Sequence, residues 1–311
     1  MKMRPQILSL AAVLAVAFTS AHSQPGGPGA NAPDSRGTGP FPALKEIDPG
    51  LPDQVVYRPA DLGALGETRL GIYAFGNGAC SDDAASARQH LLQIASYGYV
   101  AIAPGGIYSG PGRTEREARP APNPTSDSPT RPEQLLEAID WVLAENERDG
   151  SPYFNRIDAN AIAVSGFSCG GMQALVDAHD PRIGTVVVMN SGLFPGETSM
   201  GGMTASKELL GDLHTPVIYV LGGETDIAYE NGMDDFARID HVPIAVASID
   251  KGHGGTYAEP NGGAAAEVVV DWLQWQLRGD SEAGKSFLGA DCGLCSDPAW
   301  TFDSKGLDTL R

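Results

Sequence analysis

The stretch Ala161-Ile162-Ala163-Val164-Ser165-Gly166-Phe167-Ser168-Cys169-Gly170-Gly171 decides how the rest of the chain is read. The apolar run at 161–164 is short and suits a strand buried on both faces. A helical pattern opens near Gly170 and continues over residues 172–178. Between the two stands Gly-x-Ser-x-Gly. In a chain with 39 glycines the bare pattern is weak, and its strand-turn-helix setting is what makes it specific. A turn this sharp holds its serine in a strained conformation. Glycines at 166 and 170 leave room where a Cβ would meet neighbouring backbone. Ser168 would then be presented at the carboxyl edge of a sheet, with the amides of the following helix aimed at developing negative charge. The alternative is a tight glycine turn without chemistry.

Outward from that turn, apolar runs at 55–57, 69–75, 99–103, 185–189, 216–221 and 243–249 read as strands. Residues 84–97, 132–146 and 264–277 have helical spacing. The alternation implies right-handed βαβ units, hence an α/β fold with a mostly parallel central sheet flanked by helices and no large cap domain. The polar, proline-rich stretch 108–131 has no period and is expected to be a surface loop near a substrate mouth.

A serine hydroxyl needs a base to act as a nucleophile. Of the six histidines, His253 lies in Lys251-Gly252-His253-Gly254-Gly255, just past the strand at 243–249 and so at the same carboxyl edge. His90 and His179 fall in or beside helices, and His22 precedes the folded region. A carboxylate must fix the tautomer of the base, and Asp226 follows the strand at 216–221, with Glu224 as the local competitor. The order Ser, Asp, His results. A second oxyanion donor is expected from the glycine loop Gly76-Asn77-Gly78-Ala79-Cys80, giving the amides of Ala79 and Cys169 as the pair. That choice brings Cys80 and Cys169 near one another, either as a disulfide or as two unpaired buried thiols. Ile107, Tyr108, Asn190, Phe194 and Tyr229 adjoin strand ends and are the expected pocket residues, with core packing the competing role for Phe194.

Composition narrows the class. The chain of 311 residues carries 21 Lys and Arg against 39 Asp and Glu, a net charge of −18, which argues against nucleic acid as a partner. Lys2 and Arg4 precede an apolar run at 7–18, with small residues around position 23. Residues 1–23 are therefore expected to be a signal peptide, with a membrane anchor as the alternative. Residues 24–42 read as a flexible Gly/Pro-rich linker, 43–288 as the catalytic domain, and 289–311 as a C-terminal tail with Cys-x-x-Cys. Cys292 and Cys295 are close enough to pair, and four cysteines suit a periplasmic or secreted protein. No second ligand pair follows at zinc spacing, so neither metal nor cofactor is expected, and no membrane contact is expected after signal cleavage.

Residues 55–277 resemble the α/β-hydrolase superfamily. The run 76–103, a glycine loop, a helix and then Ala95-Ser96-Tyr97-Gly98-Tyr99-Val100-Ala101-Ile102-Ala103, is similar to the secreted branch containing dienelactone-hydrolase-like, cutinase-like and polyester-hydrolase-like enzymes. The resemblance implies Ser168 as nucleophile, Asp226 as acid, His253 as base, and Ala79 with Cys169 as oxyanion donors. Two positions depart from the branch. Asn77-Gly78-Ala79 stands where polyester hydrolases carry Pro-Gly-aromatic, and Cys169 where they carry Met. Without an aromatic at position 79, polyester cleavage is disfavoured. The expectation is a serine hydrolase acting on small or polymeric carboxylic esters, with a peptidase, an acyltransferase or a non-catalytic binding protein as the other readings.

Overall fold

The computed structural model describes residues 32–115, 129–200 and 203–310. The expected signal peptide, the first part of the expected linker and most of the 108–131 loop lie outside the described residues. In chain order the elements are β1 (Ala43–Glu46), β2 (Gln54–Pro59), β3 (Leu70–Gly76), α1 (Arg88–Ser96), β4 (Tyr99–Pro104), α2 (Glu133–Glu147), β5 (Ile157–Phe167), α3 (Cys169–Asp177), β6 (Thr185–Met189), β7 (Thr198–Met200), β8 (Met203–Ala205), β9 (Val217–Leu221), α4 (Tyr229–Arg238), β10 (Ile244–Ile249), α5 (Gly263–Arg278), α6 (Ser281–Gly284), α7 (Gly293–Ser296) and β11 (Trp300–Lys305).

Nine strands form one sheet in the order β1-β2-β4-β3-β5-β6-β9-β10-β11, and β7 with β8 makes a separate hairpin. From β4 to β10 every pairing is parallel. Toward the edges β2 and β11 run against this set, and β1, antiparallel to β2, runs with it again. The chain leaves β3 for β4 on one side and returns to β5 on the other. A crevice therefore opens between the carboxyl ends of β3 and β5, at the reversal of strand order where open α/β sheets place their sites.

The central strands are apolar on both faces because both are covered. On β3, Tyr73 and Phe75 pack with Leu91 of α1 and Trp272 of α5, whereas Leu70, Ile72 and Ala74 pack with Leu135 of α2 and Met172 of α3. Trp272 is fully buried, and its indole Nε1 donates to Thr185 Oγ1 at 2.8 Å, so the polar end of this anchor is satisfied. Truncating an aromatic of this kind costs about 3–5 kcal/mol.

Both ends of the described chain are tied into the fold. Residues 32–42, assigned by the sequence to a flexible linker, are bonded along α1. The Ser35 amide donates to Gln89 Oε1 at 3.0 Å, the Thr38 amide to Gln93 Oε1 at 2.9 Å and the Gly39 amide to Ser96 Oγ at 3.0 Å. Asp34 accepts from Arg88 Nε at 3.0 Å and pairs with Lys45. These bonds supply the enthalpy that the small side chains of the segment cannot. The tail 289–311 is likewise part of the fold, since β11 pairs along β10 from Ile244↔Lys305 to Ile249↔Trp300. Among the described residues, no helix is long and apolar enough to cross a membrane.

Candidate active site

The carboxyl ends of β3, β5, β6, β9 and β10 carry the segments that converge on Ser168. Directly after β5, Ser168 adopts φ 55°, ψ −119°. For a residue with a Cβ this is strained backbone. What enforces it is close packing of the turn. A Cβ on Gly166 would lie 2.1 Å from the Gly170 carbonyl oxygen, and one on Gly170 would lie 2.0 Å from the Gly76 carbonyl oxygen. Only glycine permits α3 to sit this near β3 and β5. The Ser168 amide donates to Met189 O at 3.0 Å, and its carbonyl accepts from Ser191 Oγ at 2.6 Å, fixing the turn from both ends.

His253 Nε2 lies 2.9 Å from Ser168 Oγ, and His253 Nδ1 lies 2.6 Å from Asp226 Oδ1. An ionised carboxylate only accepts, so Nδ1 carries the proton and donates. In the neutral ring Nε2 is then the acceptor for the Ser168 hydroxyl. Three side chains separated by 58 and 27 residues thus form one directed hydrogen-bond chain, the separations being 226 − 168 and 253 − 226. The loop bearing His253 is pinned to the loop bearing Asp226, because the Lys251 and Gly252 amides donate to Gly222 O at 3.0 and 2.7 Å. Glu224, the competing carboxylate, does not take part in the chain among the described residues.

Asp226 is almost fully buried. Burial pushes its carboxyl upward, but the bond from His253 and those from the Ala228 amide, Asn190 and the Gly222 amide outweigh it and hold the carboxyl below its ordinary value. The carboxylate therefore stays ionised through neutral and mildly acidic pH. Asp235, also buried, is occupied by Lys207, Tyr219 and the Leu193 amide instead, and no histidine faces it among the described residues.

The loop after β3 turns at Ala79, whose φ of 55° and ψ of 19° are left-handed, as is the φ of 45° at Cys80. Cys80 and Cys169 are joined as a disulfide with Cα atoms 5.3 Å apart. This resolves the two possibilities open for that pair in the sequence. Cys292 and Cys295 form a second disulfide. Among the described residues the amides of Ala79 and Cys169 donate to no carbonyl or side chain, so neither is committed within the fold. Six residues other than glycine have left-handed φ among the described residues, and Ala79, Cys80, Ser168 and Asn190 are four of them. Backbone strain is therefore concentrated at this edge.

The expected pocket residues divide. Asn190 is 2% exposed and bonds to both loops that carry the proposed acid and base. Its Nδ2 donates to Asp226 Oδ2 at 2.9 Å and to Gly252 O at 3.3 Å, and its Oδ1 accepts from Tyr257 OH at 3.0 Å. It is a strut between the Asp226 and His253 loops. Ile107 is buried in the α1 face and borders a depression with Asp34, Arg36 and Pro111. The Tyr108 amide donates to Asp83 Oδ1 at 3.2 Å. Phe194 is 38% exposed, and Tyr229 is half-buried at the start of α4.

Sequence reasoning missed Phe167. Its ring lies 5.3 Å from that of His253 and 4.6 Å from that of Tyr257, and it would meet any Cβ at Gly78. It also missed Thr130, which donates to Cys80 O from both its amide and its hydroxyl. Among the described residues, no cluster of three or more His, Cys, Asp or Glu is arranged to hold a metal ion. Comparison of the chain with family models gave no match, and comparison with curated proteins gave none either.

Proposed function

We propose that the chain is a secreted serine hydrolase of the α/β-hydrolase type that cleaves carboxylic esters. The observation that carries this reading is the chain Ser168 Oγ, His253 Nε2, His253 Nδ1, Asp226 Oδ1, with spacings of 2.9 and 2.6 Å. It is supported by the strained serine at a glycine-packed turn and by two uncommitted amides on adjoining loops. The two disulfides fit an oxidising compartment, in keeping with export.

The reaction has two halves. His253 Nε2 takes the hydroxyl proton as Ser168 Oγ attacks the acyl carbon. Negative charge grows on the carbonyl oxygen, which receives hydrogen bonds from the Ala79 and Cys169 amides. Asp226 stabilises the imidazolium across Nδ1. The imidazolium then gives its proton to the leaving alkoxide, and an acyl-serine remains. Water repeats the cycle, giving its proton to His253, and the acid departs as the serine is restored. Asn190 and Tyr257 hold the Asp226 and His253 loops in register throughout.

A panel of p-nitrophenyl esters of increasing acyl length, set beside peptide p-nitroanilides and an acyl-transfer assay with added alcohol, tests the reaction class. Ester hydrolysis well above the other two is expected. Amide cleavage or transfer exceeding hydrolysis would reassign the chain to a peptidase or an acyltransferase.

A further inference from the structure

The first residue of α3 does two things at once. Its amide is one proposed oxyanion donor, and its side chain is bonded to Cys80, the neighbour of the other donor, Ala79. One disulfide therefore spans the crevice between the β3 and β5 loops and links the two segments whose amides must converge on a single oxygen. Neither segment sits in relaxed backbone. Ala79 and Cys80 are consecutive left-handed residues, and neither is the glycine or asparagine that tolerates this conformation. Ser168, adjoining Cys169, is left-handed as well. Among the described residues, side-chain bonds hold the loop at Asn77 and at the Cys80 carbonyl. Asn77 Nδ2 donates to Ser81 O and Pro104 O, each at 2.8 Å, and Thr130 Oγ1 donates to Cys80 O at 2.9 Å. None of these bonds orients the Ala79 amide against that of Cys169.

We propose that the Cys80–Cys169 disulfide is a positioning element for the oxyanion donors, so that full turnover depends on its being formed. This rests on the hydrolase reading and goes further, because it makes oxidation the step that completes the site. A chain folded with both thiols reduced would keep its nucleophile, base and acid, yet lack a fixed distance between its two donors. The redox change is a two-electron exchange with a dithiol or its disulfide. Reduction breaks the S–S bond, leaves two thiols and converts the dithiol to a disulfide. Oxidation reverses it. Cys80 is 1% and Cys169 5% exposed, so once formed the bond is shielded from reductant in the folded protein.

The competing account is a staple that serves only stability, since a bond across 89 residues constrains the unfolded chain in any case. The test separates the two with a readout that stability does not move. Kinetics of C80A/C169A and of the wild type are compared on an ester and on its thionoester analogue, well below either melting temperature. Sulfur accepts hydrogen bonds poorly and sits farther from carbon than oxygen does, so the donors assist the thionoester less. In the variant, kcat on the ester is expected to fall about tenfold to a hundredfold, short of the about 10²–10³ that outright loss of a donor costs. KM should move little, and the ratio of ester to thionoester turnover should fall about fivefold or more. The C292S/C295S variant should match the wild type on both substrates, because that bond spans three residues far along the chain from the donors. If C80A/C169A does not accumulate folded, the same ratio is read on wild type refolded in dithiothreitol, with both thiols confirmed by alkylation and mass and the fold by near-UV circular dichroism. A folded, disulfide-free protein that keeps the wild-type ratio and kcat would overturn the inference and leave a plain staple. A wild type without any ester turnover would overturn the hydrolase reading itself, which is a different result.

Discussion

His253 and His90 each face a hydroxyl at 2.9 Å, and the contrast between them separates the imidazole we propose as a base from a buried structural one. His253 reaches Ser168. His90 Nε2 reaches Tyr73 OH, which in turn donates to Ser165 Oγ at 2.7 Å, on β5 and three residues before Ser168. Both clusters thus combine an imidazole with a hydroxyl at or beside β5. They differ at Nδ1 and in their access to water. The Nδ1 of His253 donates to a buried carboxylate at 2.6 Å, and its side chain is 28% exposed. Among the described residues the Nδ1 of His90 has no partner, and the ring is wholly buried against Tyr73, Phe75 and Tyr257. Burial pushes His90 down to about 3, so it stays neutral where a base would have to become charged. A hydroxyl–imidazole contact alone therefore does not mark a base. The features that set His253 apart, and on which the proposed role rests, are a fixed negative partner and an open edge.

The largest test of this contrast lies in the two serines. Ser168→Ala should lower kcat on a p-nitrophenyl ester by about four orders of magnitude or more, because the nucleophile is lost. Ser165→Ala, three residues earlier on β5, should leave kcat within about threefold, since among the described residues its hydroxyl bonds only to Tyr73. Comparable losses in the two variants would mean that the buried cluster takes part in the reaction. Next in size is the partner at Nδ1. Asp226→Asn should cost about 10⁴ in kcat with the fold intact, because an amide neither holds the tautomer nor stabilises the imidazolium. Retention of activity there would show that the exposed histidine needs no more support than the buried one has.

The smallest effect concerns stability. The folded value of His90 lies below its unfolded one. The contribution of this histidine is therefore complete above about 6.5 and is lost as pH falls from there toward about 3. His90→Gln keeps a bond to Tyr73 and removes that titration. Its melting temperature should drop less than that of the wild type between pH 7.5 and pH 5, while turnover at pH 7.5 stays near wild type. Differential scanning calorimetry at the two pH values checks the first, and steady-state kinetics the second. An equal drop in both proteins would assign the acid sensitivity elsewhere.

Much of this arrangement is legible in the chain because each of Ser168, Asp226 and His253 follows an apolar run within a few residues. A parallel sheet carries such run ends to one edge whatever the helices between them do. The glycines at 166 and 170 are legible for the same local reason. What lies in side-chain direction is not. Asn190 reads as a pocket residue from its place after β6, but its left-handed φ of 44° turns the amide toward Asp226 and Gly252, and nothing in the neighbouring residues announces that φ. Phe167 occupies the variable position of the motif, where pattern carries no information. β11 has alternating Trp300, Phe302 and Ser304, yet its partner β10 ends 51 residues earlier (300 − 249), and antiparallel pairing over that distance leaves no local trace. The residues at 32–42 look too small and polar to be ordered. They are held by Gln89, Gln93 and Ser96, whose availability on α1 only the packed helix reveals.

The most direct measurement is covalent trapping. A fluorophosphonate probe, applied to the wild type at neutral pH and followed by peptide mapping, should place one adduct on the peptide containing Ser168, and the adduct should vanish in Ser168→Ala and form far more slowly in Asp226→Asn. An adduct on any other side chain, or none on a folded protein, would contradict the account of Ser168 as a nucleophile activated by His253 and Asp226.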